Sequence, residues 1–186
     1  MAERLPALVL VSGAPGVGRT TLARVLGTRL RLTVLYKDAI KEALVDALGA
    51  ADRAESRALG AATYAIFNVV VPELLAAGTS VMLESNYRRG VSEADLRPLL
   101  ARSRGVLIHC EAADEVIVTR YTGRAERGER HRAHFDAEVL PDLRADLAAR
   151  RFGPLDLAIP TLRVDTTAGY APDVDTIVAF IQSNAM

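Results

Sequence analysis

Short apolar runs alternate along this chain with longer stretches in which apolar positions recur every three or four residues. "ALVLVS" (7–12) is a continuous apolar run closed by glycine, the pattern of a strand buried on both faces. Residues 19–30 then place Leu22, Val25, Leu26 and Leu30 on one helical face. "LTVLY" (32–36) predicts a second strand, and 38–48 a helix with Ile40, Leu44, Val45 and Leu48 apolar. A long helical pattern covers about 53–77, with Leu59, Ala62, Ile66, Val69 and Val70 at helical steps; Pro72 is expected to kink or split it. "SVMLES" (80–85) and "GVLIHC" (105–110) predict strands three and four. Between them Ser92 is the expected N-cap of a helix with an acidic first turn. Residues 113–124 predict another helix, and polar, glycine-containing 125–136 a mobile loop. A helix over 137–150, a fifth strand "TLRVD" (161–165) and a helix carrying Val174, Ile177, Val178 and Ile181 complete the chain.

Strands that alternate with helices and read as unbroken apolar runs predict an α/β fold: a five-stranded parallel sheet with helices on both faces. The 186 residues show no repeat or linker and fit one domain, 1–186, with an inserted lid at about 120–136. Positive and negative side chains balance. Nucleic-acid affinity comes largely from neutralising phosphates, so a nucleic-acid partner is disfavoured. A single Cys110 excludes an internal disulfide and fits a reducing compartment. Arg4 followed by "LPALVLV" mimics a short leader, but Glu3 and the immediate glycine-rich turn argue against one. No unbroken apolar run approaches the roughly 18 residues of a membrane span. The expectation is a cytoplasmic protein without a membrane partner.

The chemistry begins at "SGAPGVGRTT" (12–21), a strand-to-helix turn that matches G-x-x-x-x-G-K-[ST] at Gly13, Gly18 and Thr20. Such a loop, Gly13, Ala14, Pro15, Gly16, Val17, Gly18, Arg19, Thr20 and Thr21, turns successive main-chain N–H groups inward and cradles phosphate oxygens at a helix N-terminus. Thr20 supplies the hydroxyl expected on Mg²⁺, and Thr21 supports the first helical turn. Arg19 replaces the lysine, in a chain with 21 Arg and only two Lys. A guanidinium keeps the charge and can grip phosphate bidentately, but it does not reproduce the ammonium's position. Nucleotide binding is expected to survive the exchange; catalysis is more exposed to it.

In open parallel sheets ligands sit beyond the carboxyl ends of the strands. Asp38, after the second strand, therefore faces the phosphate loop and can take a proton from an attacking hydroxyl, or it can simply cap its helix. Lys41, one turn on, can hold the acceptor. Glu84 ends the third strand beside the loop, followed by Asn86, Tyr87, Arg88 and Arg89. His131 and His134 have H-x-x-H spacing, but they lack further His or Cys ligands for a metal site. His109 and Cys110 read as core.

Four pieces in order, "GAPGVGRTT", "KDAIKEAL", "LESNYRR" and an arginine-rich segment after "IHCEAADEVIVTRY", resemble the family of small P-loop kinases that includes zeta toxins, chloramphenicol phosphotransferase and the kinase module of polynucleotide kinases. The resemblance covers nearly the whole chain and is specific for the superfamily, not the substrate. It implies ATP and Mg²⁺, with Asp38 as general base and Lys41 on the acceptor. Relatives usually carry Asp where this chain has Glu84, which with Thr20 would organise Mg²⁺ and, with Asn86 and Arg88, the acceptor side. A lid would supply Arg124 and Arg130 to the transferring group, with Arg120 at its base, and "VDTTAGY" (164–170) would contact the adenine. The implied function is transfer of the γ-phosphoryl group of ATP to a small-molecule hydroxyl. A nucleoside or nucleotide kinase and a nucleotide-binding protein weakened at Arg19 remain open beside it.

Overall fold

The computed structural model describes residues 4–186; Glu3, invoked above against a leader, lies outside them. The elements run β1 (Ala7–Ser12), α1 (Arg19–Leu30), β2 (Thr33–Tyr36), α2 (Lys37–Leu48), α3 (Arg53–Ala76), β3 (Val81–Glu84), α4 (Glu93–Leu100), β4 (Arg104–Glu111), α5 (Asp114–Glu126), a 3₁₀ turn (Arg132–His134), α6 (Asp136–Ala148), β5 (Thr161–Asp165) and α7 (Val174–Ala185). All strand pairs named in the sheet are parallel, in the order β2-β3-β1-β4-β5. The chain leaves β1 toward one edge and returns to its other side for β4, so the carboxyl end of β1 is the switch point where a ligand crevice forms.

β1 is buried throughout and its side chains alternate between two cores. Val9 and Val11 join Leu22, Leu26, Ile117, Leu143, Ile177 and Ile181 on one face. Leu8 and Leu10 join Phe67, Val71, Leu75, Leu83, Leu96 and Leu99 on the other. Each such side chain contributes roughly 1.5–3 kcal/mol of burial. The result is a three-layer sandwich whose central strand is held rigid from both sides. His109 and Cys110 are buried, as the apolar run around them requires.

Several sequence expectations are corrected. Pro72 does not split α3, which runs unbroken from Arg53 to Ala76. Val71 and Leu75, buried on either side of the proline, hold the last turns against the sheet and offset the lost hydrogen bond. The buried stripe of α3 is Gly60, Thr63, Phe67, Val71 and Leu75, whereas Val69 and Val70 face outward. Gly60 faces the stem of Lys41 on α2, where an added Cβ would make ordinary contact at 3.8 Å. In α2 the buried positions are Lys41 and Val45, and Leu48 is exposed. By length and composition alone α3 passes the test for a membrane span, with a mean hydropathy of 1.5 over 18 residues, although no uninterrupted apolar run predicted it. Ser92 stands at the start of α4, but its hydroxyl accepts the amide of Arg88 instead of capping the helix. Segment 125–136 is not a free loop: α5 takes its first two residues, the 3₁₀ turn holds its middle, and α6 begins at Asp136.

Candidate active site

β1 delivers the loop 13–18 to the switch point, and α1 opens directly behind it at Arg19. Gly13 has φ 144°, and a Cβ there would lie 2.5 Å from the Cys110 carbonyl oxygen; at Gly16, φ 93°, it would lie 2.8 Å from that of Ile117. Only glycine lets the loop fold so close to β4 and α5 while leaving a cradle open.

Arg19 is almost fully buried beneath that cradle. Its Nη1 donates to the carbonyls of Gly13 (3.0 Å) and Ala14 (2.8 Å). Its Nε pairs with Glu84, and Nη2 lies 3.4 Å from an Asp38 carboxylate oxygen. The Thr20 hydroxyl donates to Glu84 at 3.2 Å. Parallel register explains the meeting: Glu84 pairs with Val11 of β1 on one side and Tyr36 of β2 on the other. Carboxylates that end β3 and follow β2 therefore converge on the loop.

Burial by itself would raise the pKa of Asp38, but the charges of Lys37, Arg19 and His134 outweigh it and hold the carboxyl well below the usual range. Glu84 shifts upward, because its burial outweighs the Arg19 charge beside it. Burial, with Lys37 nearby, pulls the Lys41 ammonium down to about 8. Cys110, pushed up to about 12 by burial, is an inert thiol.

Three cavities open around this cluster. One of about 650 Å³ runs along Gly16, Gly18 and Thr21 to Arg120, Arg124, Thr166, Gly169 and Tyr170. Arg120 forms its wall by donating to the carbonyls of Thr166 and Thr167. A second, about 600 Å³, joins Thr20, Asp38 and Glu84 to Arg124 and Arg130. The third, about 190 Å³, lies on the far side of Asp38, between Pro15, Lys41, Ser56, Asn86, Arg88 and Tyr121.

Arg130 and His134, from the segment between α5 and α6, border this third cavity. Lys41 Nζ (2.9 Å) and Ser56 Oγ (2.6 Å) both donate to the Ala133 carbonyl. His134 Nε2 meets Glu42 at 2.7 Å, and His131 Nε2 meets Asp46 at 3.0 Å. The two histidines tie the segment around the 3₁₀ turn to α2, and among the described residues no cluster of three His, Cys, Asp or Glu suited to a metal occurs. Arg130 lies over the Tyr121 ring and 2.8 Å from Asp136.

A family model described as AAA domain matches residues 8–149. The chain belongs to the AAA domain family. A "putative kinase" from Chloroflexus aurantiacus j-10-fl is 33% identical, with a TM-score of 0.83, over 98% of this chain and 100% of that one. A gluconokinase from Sinorhizobium meliloti 1021 (16% identity, TM-score 0.60, 98% and 95% covered) and a shikimate kinase from Acinetobacter baumannii in complex with shikimate (23%, 0.53, 98% and 96%) share the fold. No curated protein matches the sequence. The AAA domain here is thus a P-loop fold of the kinase type.

Most residues singled out in the sequence of this AAA domain meet around one crevice. Arg19 touches both Asp38 and Glu84, and Thr20 touches Glu84. Thr21 and Arg124 line the two cavities beside the glycine loop, Lys41, Asn86 and Arg88 the third, and Arg130 both the second and the third. Arg89 belongs to a different cleft beside His109. Asp38 is no helix cap: Tyr36 holds that position, and Asp38 points to Lys37 and Arg19. Sequence reading missed Ser56, Arg53, Arg57, Asp142 and Asp146. The i, i+4 spacing of Arg53/Arg57 and Asp142/Asp146 was the available signal, since each pair shares a helix face.

Proposed function

We propose that this AAA domain moves the γ-phosphoryl group of ATP to a hydroxyl of a small molecule. The observation that carries this reading is the convergence of Asp38, Glu84, Thr20 and Arg19 at the mouth of the glycine cradle. Main-chain amides of 13–18 and the start of α1 hold the phosphates, with the base directed toward Thr166–Tyr170. The donor set of one hydroxyl and one carboxylate, Thr20 and Glu84, suits a hard cation that keeps oxygen ligands from phosphate and water, so Mg²⁺ would sit there and supply charge neutralisation. Arg19 gives up its carbonyl partners to phosphate oxygens, while Glu84 keeps its orientation. Asp38 accepts the acceptor's proton; as a weak base it takes that proton late, as a loose phosphoryl transition state allows. Arg124 and Arg130 neutralise the transferring group, and the lid excludes water.

A screen of alcohols, sugars, antibiotics and nucleosides for coupled ADP release, with Asp38→Asn as the blank, tests the proposal. A nucleoside or nucleotide kinase would announce itself in the same screen. One observation favours a weaker alternative, a nucleotide-binding protein with impaired catalysis: the Arg19 donors are already engaged by the loop and both carboxylates. If wild type and Arg19→Lys are both inactive while ATP binds, that alternative holds.

A further inference from the structure

The acceptor cavity carries a charge that the chain as a whole does not. Five basic side chains line it and neither of the nucleotide-side cavities: Lys37, Lys41, Arg53, Arg57 and Arg88. Only Asp142 and Asp146 oppose them there; Asp38 and Arg130, shared with the phosphate side, cancel. Five positive against two negative leaves an excess of three, in a chain of net charge zero.

The ion pairs sharpen the imbalance. Arg53 and Arg57 share one carboxylate, Asp142. Arg88 and Arg151 share another, Asp146. Each aspartate serves two guanidiniums, so the Asp142 cluster keeps one unmatched positive charge on the cavity, whereas Arg151 of the second cluster stands outside its lining. These arginines lie on α3, on the segment after β3 and just beyond α6, and none of them lines either nucleotide-side cavity. Size narrows the class further: about 190 Å³ is below the 300–1,000 Å³ usual for drug-sized ligands.

We infer that the acceptor is a compact hydroxylated anion, bearing a carboxylate or phosphate that docks on Arg57, Arg53 and Arg88 while its hydroxyl faces Asp38. The inference rests on the phosphotransferase reading and adds the acceptor's charge. A carboxylate or phosphate matches the guanidinium fork bidentately, and such a pair fixes orientation as well as affinity. Asp142 is then an internal stand-in for the anion: it occupies the two α3 arginines, and the ligand competes with it.

The test is calorimetry on the ADP-loaded protein with three probe sets: glycerate and gluconate, glycerol 3-phosphate, and the neutral polyols glycerol and glucitol. The expected result is binding of at least one anion and of neither polyol. Carboxylate against phosphate probes separates the two sources of charge. Arg57→Ala, at an exposed position, is expected to weaken the bound anion about tenfold, one charge-assisted contact. Asp142→Asn is expected to tighten it, whereas arginines that merely latch α6 would make that variant weaken it. No anion bound, polyols bound equally well, or Asp142→Asn weakening the anion would each overturn the inference. ADP that binds normally beside a turned-over neutral acceptor would leave the kinase reading standing without it; ADP that fails to bind takes both down.

Discussion

Arg19 and Glu84 form a buried ion pair directly under the phosphate loop, joining the first residue of α1 to the last residue of β3. Arg19 stands where the phosphate-loop pattern has a lysine. A guanidinium is large enough to reach the loop carbonyls, Glu84 and Asp38 together. The extra methylene of glutamate, compared with the usual aspartate, accompanies the larger cation. The two departures from the family pattern are thus in contact.

Breaking that pair is expected to be costly. Arg19→Ala leaves a buried carboxylate without its counter-charge, a loss of about 3 kcal/mol or more. In a domain of this size that corresponds to a melting temperature lower by about 6–12 °C. Arg19→Lys is expected to lose far less. Thermal unfolding of the two variants beside wild type checks the ranking; equal melting temperatures for Arg19→Ala and wild type would remove the pair's structural role.

Asp38→Asn is expected to lower turnover by ~10²-fold or more, the usual size of a general-base effect, with ATP affinity nearly unchanged. Because the folded-state pKa of Asp38 is depressed, its carboxylate stays ionised at ordinary working pH. Its contribution to stability is present above the unfolded carboxylate range and is lost as pH falls through the lower folded value. An acid limb in kcat/KM near pH 6 would therefore belong to another group, and its persistence in a weakly active Asp38→Glu variant checks this.

Lys41 carries a pH signature of opposite origin. With its ammonium pulled down to about 8, it loses its charge above that pH. Acceptor KM is expected to rise between pH 7 and 9 while the nucleotide KM stays level, and Lys41→Met is expected to flatten the profile. Between about 8 and the ordinary value of 10.5 the unfolded chain holds a proton that the folded one lacks, so this residue's contribution to stability increases with pH across that window.

Lid docking depends on a few contacts to one carbonyl and two histidines. Removing the Ser56 hydroxyl or the Glu42 carboxylate (Ser56→Ala, Glu42→Gln) is expected to open the segment 127–135 more often. Limited proteolysis reads this directly, with cleavage near Arg127–Arg132 accelerated several-fold in the double variant and suppressed again by Mg-ATP. Unchanged cleavage would mean that the rest of the lid suffices.

The alternation of strands and helices, the phosphate loop and the placing of Asp38 and Glu84 after strand ends were legible in the sequence, but the order of strands in the sheet was not. Each rests on a local code: a continuous apolar run, a glycine spacing, a residue at the end of a run. Position on α3 was read less well. Its apolar residues surround the helix, so periodicity chose Val69 and Val70, while the buried side also carries Ser56, Gly60 and Thr63, which no apolar pattern marks.

By itself the sequence determined that a parallel sheet forms and that a phosphate cradle stands at the end of its first strand, because hydrogen bonding, burial and glycine conformations act over a few neighbouring residues. Only the tertiary structure decided that Arg19 spans two carboxylates, that Lys41 and Ser56 both bond the Ala133 carbonyl, and that four arginines share two aspartates. Arg19 lies 19 positions from Asp38, and Lys41 lies 92 from Ala133. Side chains so far apart along the chain meet only after the sheet register and the packing of α3 and α6 have fixed which faces oppose one another.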